Sequence, residues 1–535
     1  MKRFLSLILA CLLLLTAVSV SAEELTTIKV MAINNAITIN GETTYFSDVL
    51  EGKIKSDAYD KLVADLAARG LAVEFDVVTS DQYPTYLRNQ IAGGIKADVY
   101  CIKPLDDTTR LSMAKSGQFL PISTLEQFSN GALLDWLSDG YGRYYARDEI
   151  DGELYWLPRI TVSADYNGVP TGNCTYMFIR QDWLDMLEME VPQTLDELYD
   201  YIIACRENDL NHTGVEDEMI KIPVDSMNDA ACWFGLFNSW YYVGEDGQFT
   251  TPWYHEEQMK AYISFLNKLY SEGVLETTSA SDVLQSENKL IGVSNWASRN
   301  LSITVADDLP TPLYTPIVFN ALENYPATIV EQCGIDYGSA VFAVNGATEK
   351  VEAVAKLLDY LYTDEYIDLS NYGVEGIQHI VDEDGSWIAP EAIEGNYDNS
   401  KARAGKYYAN FNEDLPSTNL VRGGFESSIK DWAQINKDFI LNSGYGHDYA
   451  HKLQKTPESS ILALATEEEA KLVASLKTDV ETYMGELLSK LVFGEKSLDD
   501  WNTYMNDLDE LGLGKIIEVY QTRYERTPDD LKLYK

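Results

Sequence analysis

Cysteine and histidine are scarce in this chain, at six and five residues of 535. The cysteines stand at 11, 101, 174, 205, 232 and 333, scattered and with no CxxC pair. That excludes a disulfide framework and a thiolate zinc site; one bridge remains open, and buried free thiols are the simpler expectation. The histidines stand at 212, 255, 379, 447 and 451. His447 and His451 share a four-residue spacing, but no HExxH glutamate lies between them, so ordinary polar surface is expected there rather than a metal pair. GxSxG and Walker A sequences are missing, and Gly140 and Gly142 are followed by Tyr145 rather than by the glycine of a dinucleotide fingerprint. Positive charge is also short. Lys and Arg number 41 against 85 Asp and Glu, a net charge of −44, which disfavours nucleic acid and anionic membranes as partners.

Long apolar runs are confined to the start. MKRFLSLILACLLLLTAVSVSA has two basic residues, an apolar stretch and a small-residue end with Val20 and Ala22 before a cleavage point. This reads as a secretory signal peptide over 1–22. No later run reaches the roughly 20 apolar residues of a membrane span. The mature chain is therefore expected to be secreted and extracellular, with 39 basic residues against 85 acidic. Ile8-Leu9-Ala10-Cys11 has some likeness to a lipobox, but the apolar run continues through Leu15, which argues against a lipid anchor.

What is plentiful is aromatic side chain: 35 Tyr, 10 Trp and 16 Phe. Such rings mostly fill cores, and exposed ones suit the flat faces of sugars. A chain this long exceeds one core, so two or more lobes are expected. Thr27–Ile33 alternates as a strand, 56–69 carries one apolar helical face with Gly70 as its stop, and Val73–Val77 alternates again. A helix over 82–93 and a short strand at Ala97–Ile102 complete a βαβαβ order, which implies a parallel α/β sheet. Thr194 and Glu197 have capping-box spacing before a stripe of Leu195, Leu198, Tyr199, Ile202 and Ile203. Further helices are expected at 255–272 and 348–362, with a strand at Ala340–Val344 between them. The tail, 464–525, repeats Leu472, Leu476, Val480 and Met484 every fourth residue. Between these elements, DLNHTGVEDE at 209–218 is either an acidic turn or a cation loop.

Several stretches together resemble one family. YMFIRQDWLDMLEMEVPQTLDELYDYI at 176–202, DGELYWLP at 151–158, GSAVFAVNGATEKVEAVAKLLDYLYTDEY at 338–366, NYGVEGIQHIVDEDG at 371–385 and the C-terminal helices are similar to segments of extracellular solute-binding proteins of ABC transporters. The likeness is to family 1, the large sugar-binding type of Gram-positive bacteria, and covers nearly all of 27–525. Trp156 departs from it, standing where the family has glycine.

The resemblance implies an α/β, two-lobed periplasmic-binding-protein-like (type II) fold with a hinge and an interlobe cleft. The N-terminal lobe is expected from 27–160 and 328–375, and the C-terminal lobe from 161–327 and 376–535. It implies a monomeric, cell-surface-associated receptor, not an enzyme, that hands a carbohydrate, an oligosaccharide in particular, to ABC transporter permease subunits. Trp156, Trp233, Trp240, Trp296, Tyr337, Tyr372 and Glu375 are the cleft candidates, each equally readable as packing. The resemblance also implies structural calcium (Ca) in the acidic loop, on Asp209, Asn211, Thr213, the Val215 carbonyl, Asp217 and Glu218, with His212 facing solvent and Gly214 making the bend. Two other classes compete: a secreted glycoside hydrolase with a carboxylate pair, and a receptor of the same fold for a peptide.

Overall fold

Thr26–Asn34 (β1) starts the first lobe with Ile28, Val30, Met31 and Ala32 buried. Asp57–Ala68 (α1) follows, capped by Ser56, whose hydroxyl accepts from the Tyr59 N–H at 3.1 Å. It buries Ala58, Leu62 and Leu66 and stops at Gly70, where φ is +75°. Leu71–Thr79 (β2), Tyr83–Gly93 (α2), Val99–Cys101 (β3), Asp107–Lys115 (α3) and Leu157–Ser163 (β4) continue the lobe. β1 pairs in parallel with β2, Val30 beside Phe75, and with β3, Val30 beside Val99. The expected βαβαβ unit is thus present. The computed structural model describes residues 25–34, 36–39, 42–129, 131–133, 150, 152–163, 165–166, 169–170, 174–175, 177–244, 246–277, 288–294, 314–328, 330–331, 335–377, 380–381, 387–388, 418–421, 454–455 and 462–529. The expected signal-peptide segment 1–22, Trp296 and the pair His447 and His451 lie outside them.

The chain then passes through Cys174–Thr175 (β5) into a second lobe. Its elements are Met177–Arg180 (β6), Gln181–Leu187 (α4), Leu195–Glu207 (α5), Met219–Lys221 (β7), Glu256–Ser271 (α6), Leu275–Glu276 (β8), Leu290–Ser294 (β9) and Tyr314–Ile317 (β10). Its five-stranded sheet runs β8-β7-β9-β6-β10. Thr194 caps α5, accepting from Glu197 N–H at 3.2 Å, while the Glu197 carboxylate accepts from Gln193 N–H rather than from Thr194. The buried side chains of α5 are Leu198, Tyr201, Ile202 and Cys205; Leu195, Tyr199 and Ile203 are only partly covered. The stripe is therefore turned toward 201 and 205, because β6 holds that side: Tyr201 Oη donates to the Arg180 carbonyl at 2.8 Å.

Val330–Glu331 (β11) carries the chain back to Ile335–Val344 (β12), Val351–Leu361 (α7), Asp364–Tyr372 (α8) and Thr418–Val421 (β13). β12 runs antiparallel between β3 and β4, with Phe342 opposite both Cys101 and Leu157. β13 lies parallel to β4, Leu420 beside Val162, giving a six-stranded order β13-β4-β12-β3-β1-β2. This corrects the expected lobe boundary: 418–421 belongs to the first sheet, not to the second lobe. Such a short strand carries too little periodicity to announce its sheet.

Gln454–Lys455 (β14) leads to the last crossing and to Glu467–Val492 (α9), Trp501–Leu511 (α10) and Leu513–Arg526 (α11). β14, β11 and β5 pair with one another as a separate small sheet, order β14-β11-β5. Each of its strands comes from one of the three segments linking the lobes. The helices pack on the second core through Val480, Met484, Leu487, Leu488, Leu491 and Ile516. Leu472, expected in that stripe, is 38% exposed. At Gly485 an added Cβ would stand 2.5 Å from the Asp225 carbonyl oxygen, so only glycine permits α9 to approach that loop so closely. A full buried Leu or Ile in either core contributes about 1.5–3 kcal/mol. Cys101, Cys205 and Cys232 are buried thiols outside any disulfide. Among the described residues, no helix is long and apolar enough to cross a membrane.

Candidate functional site

The acidic loop leaves the end of α5 and is closed by β7. Asp209, His212 and Gly214 adopt left-handed conformations, with φ of 46°, 58° and 77°, which coil the loop tightly. Asp209 organises it: Oδ1 accepts from Thr213 N–H at 2.9 Å and Oδ2 from Gly214 N–H at 2.8 Å. The Asn211 amide donates to Asp217 Oδ1 at 2.8 Å, and the Thr213 hydroxyl lies 3.3 Å from the Val215 carbonyl. It is 3.5 Å from both Asp209 Oδ1 and Asp217 Oδ1. His212 is exposed.

Glu218 is 0% exposed. Its Oε1 accepts from Asn211 N–H at 3.1 Å, and its Oε2 is buried with no hydrogen-bond partner. Burial pushes the Glu218 carboxyl above its ordinary range, and the charges of Asp217 and Asp209 add to this. Burial pushes Asp217 up as well, but the Asn211 amide and the Lys289 ammonium outweigh it and leave Asp217 below the usual range. Lys289 Nζ stands 3.0 Å from Asp217 Oδ2, placed there because β9 begins beside β7 and the Met219 N–H donates to the Lys289 carbonyl at 2.9 Å. Sequence reasoning missed this lysine, 72 positions from its partner. Among the described residues no group of three or more His, Cys, Asp or Glu side chains is arranged to hold a metal ion. The loop's donor set is instead mixed, with carboxylate, amide, hydroxyl and carbonyl oxygens. The orphaned Glu218 Oε2 is the feature that fits a hard cation, since an unpartnered buried carboxylate oxygen is costly.

The aromatic candidates divide. Trp156 is 1% exposed, edge-on to Phe119 and covered by the Arg110 guanidinium 5.5 Å from its ring centre. Trp233 is also 1% exposed; it stacks on Phe319 at 5.0 Å and donates from Nε1 to the Ile317 carbonyl. Both rings are thus packing side chains here, which corrects their place among the cleft candidates: neither offers a free face. Arg110, paired with Asp107, is the residue beside Trp156 that the sequence did not single out. Trp240 differs. It is half-buried, with its ring nearly parallel to Trp253 at 6.4 Å and Trp253 in turn against Trp501. Glu375 is exposed, just after α8 and Gly373. Tyr337 lies within β12 and Tyr372 ends α8, but their side chains, and all of Trp296, fall outside the described residues. The arginine of the IRQDWLD stretch, Arg180, is structural: it is 2% exposed, pairs with Asp182 at 2.6 Å and donates to Asn288 at 2.7 Å.

Two α/β sheets, each with its own core, joined by three segments that pair side by side define a two-lobed binding protein. The family of bacterial extracellular solute-binding proteins matches residues 53–367, and the chain belongs to that family. It is similar to the polygalacturonan/rhamnogalacturonan-binding protein YtcQ of Bacillus subtilis, 22% identical over 335 residues, which span 59% of this chain and 62% of that relative's length. It is also similar to FusA of Streptococcus pneumoniae, a fructooligosaccharide ABC transporter substrate-binding protein, at 20% identity over 88% of each chain. Among solved structures, FusA in complex with kestose superposes with a TM-score of 0.70 at 17% identity, covering 94% of this chain and 99% of that one. An HMO-binding, ABC-transporter-associated solute-binding protein from Bifidobacterium longum infantis gives 0.69 at 17% identity, covering 96% and 100%. These likenesses confirm the expected fold class.

Proposed function

We propose that this chain is the extracellular receptor of an ABC importer, capturing an oligosaccharide by closing two lobes and passing it on unaltered. One observation carries the reading: all three interlobe segments contribute a strand to the small sheet β14-β11-β5, so the lobes are joined along one line about which they can turn. Relatives named for galacturonan, rhamnogalacturonan and fructooligosaccharide binding support a carbohydrate as the guest. Within this reading Trp240 is the sugar platform, backed by Trp253, and Glu375 is an acceptor for hydroxyl groups. Trp296, Tyr337 and Tyr372 are further candidates. The chain acts as a monomer at the cell surface, after loss of residues 1–22, and its partners are permease subunits.

The loop after α5 is assigned to a calcium ion. Asp209, Asn211, Thr213, the Val215 carbonyl, Asp217 and Glu218 would hold it, and the Glu218 oxygen that lacks a partner supports this. The ion supplies positive charge to three carboxylates and has a structural task only.

Calorimetry against a panel of kestose, nystose, galacturonan fragments, alginate oligomers and short peptides tests the function, together with an assay for new reducing ends. Stoichiometric binding of a saccharide without product supports the receptor; turnover makes the chain a hydrolase, and binding of peptide alone changes the guest.

A further inference from the structure

Leu462 and Leu464 are two residues apart, yet Leu462 belongs to the second core and Leu464 packs against the first. The stretch 462–466 is therefore the end of the third interlobe crossing, immediately before α9. Its backbone is gripped from one side by the last turn of α11. Arg523 Nε donates to the Ala463 carbonyl at 2.8 Å. Ala463 N–H donates to the Thr527 hydroxyl at 2.9 Å, and that hydroxyl donates onward to the Arg523 carbonyl at 2.9 Å. Arg526 Nη2 donates to the Leu464 carbonyl at 3.1 Å. The same guanidinium holds both carboxylate oxygens of Glu469, in the first turn of α9, at 2.6 and 2.7 Å. Thr527 is only 2% exposed, so its paired hydroxyl is shielded from competing water. Across the boundary, α9 packs along α3 of the first lobe, and Glu467 stands 3.7 Å from Lys115.

We infer that Arg523, Arg526 and Thr527 form a clamp that fixes the third crossing to the second lobe, making them positioning residues for lobe closure. A crossing with its peptide groups tied at two successive residues, and its next helix tied by a forked ion pair, cannot bend freely. Turning of the lobes then does not occur within 462–466, and Leu464 moves as part of the second lobe. This rests on the two-lobed closure reading, but no ligand enters its test.

The test is hydrogen exchange and small-angle scattering on the ligand-free, full mature chain, comparing wild type with Arg526→Ala, Arg526→Lys and Thr527→Val. The clamp requires the amides of 462–466 to exchange about tenfold faster or more in Arg526→Ala and in Thr527→Val, with 480–492 unchanged. It also requires a larger radius of gyration in Arg526→Ala that Arg526→Lys does not fully restore, because a single ammonium cannot fork across both Glu469 oxygens. Thr527→Val keeps the side-chain shape and decides the matter if Arg526→Ala does not fold. Wild-type exchange at 462–466 in both variants overturns the clamp, and so does equal acceleration at 480–492, which marks general loosening instead. A sugar panel that fails while exchange at 462–466 responds would sink the proposed guest and leave the clamp standing.

Discussion

The Asn211 N–H donates to one oxygen of Glu218 at 3.1 Å, while the other oxygen of that carboxylate is buried and unpartnered. A half-satisfied buried carboxylate beside Asp209 and Asp217 is electrostatically costly, and a cation in the loop would relieve that cost. Chelation followed by gel filtration into metal-free buffer is therefore expected to lower the melting temperature, and calcium to restore it. At a hundredfold excess over its dissociation constant the ion adds about 2.7 kcal/mol. Glu218→Gln is expected to abolish the response. A melting temperature indifferent to calcium, with metal content measured as nil beforehand, rejects the site.

Trp240 and Trp233 separate binding from packing. Trp240→Ala is expected to weaken affinity for the bound saccharide by about 1–3 kcal/mol, read by calorimetry, with little change in melting. Trp233→Ala removes a ring stacked on Phe319 inside the core and is expected to cost about 3–5 kcal/mol of stability in denaturant titration. Equal affinity in folded Trp240→Ala removes that ring from the site.

Much of this division was illegible in the sequence. The strand and helix order through 26–101, the helices at 195–207 and 256–271, and the loop between α5 and β7 follow from periodicity and caps that are local. The partition of tryptophans is not local: Trp156 and Trp233 are covered by Phe119, Arg110 and Phe319, and no neighbour in sequence reports it. Two-residue strands such as β5 and β11 have no period to read, so the hinge sheet was invisible. The pairing of Arg526 with Glu469 spans 57 positions and left no trace in spacing.

Gly485 tests the packing of α9. Gly485→Ala forces a Cβ against the Asp225 carbonyl, a backbone group that cannot step aside cheaply. A loss of about 1–3 kcal/mol is expected in urea unfolding. Unchanged stability means that α9 stands further from residues 224–225 than described.

Acid sensitivity probes the forked pair. Burial pushes Glu469 up, but hydrogen bonds from Arg526 and Thr466 outweigh it and hold its carboxyl below the ordinary 4.5. A carboxylate with a lowered folded value stabilises the fold fully above pH 4.5, and that contribution disappears as pH falls through the lowered value. The stability gap between wild type and Arg526→Ala should therefore be widest above pH 4.5 and close below it. A gap independent of pH would show that Arg526 does not act through the Glu469 carboxylate.

Small-angle scattering of residues 23–535 with and without a saccharide selected from the panel tests the central claim most directly, provided the sugar is recovered and sized afterwards. Lobe closure predicts a smaller radius of gyration at saturation and a guest of unchanged length. A scattering curve that does not respond to a bound sugar, or a sugar returned in fragments, contradicts it.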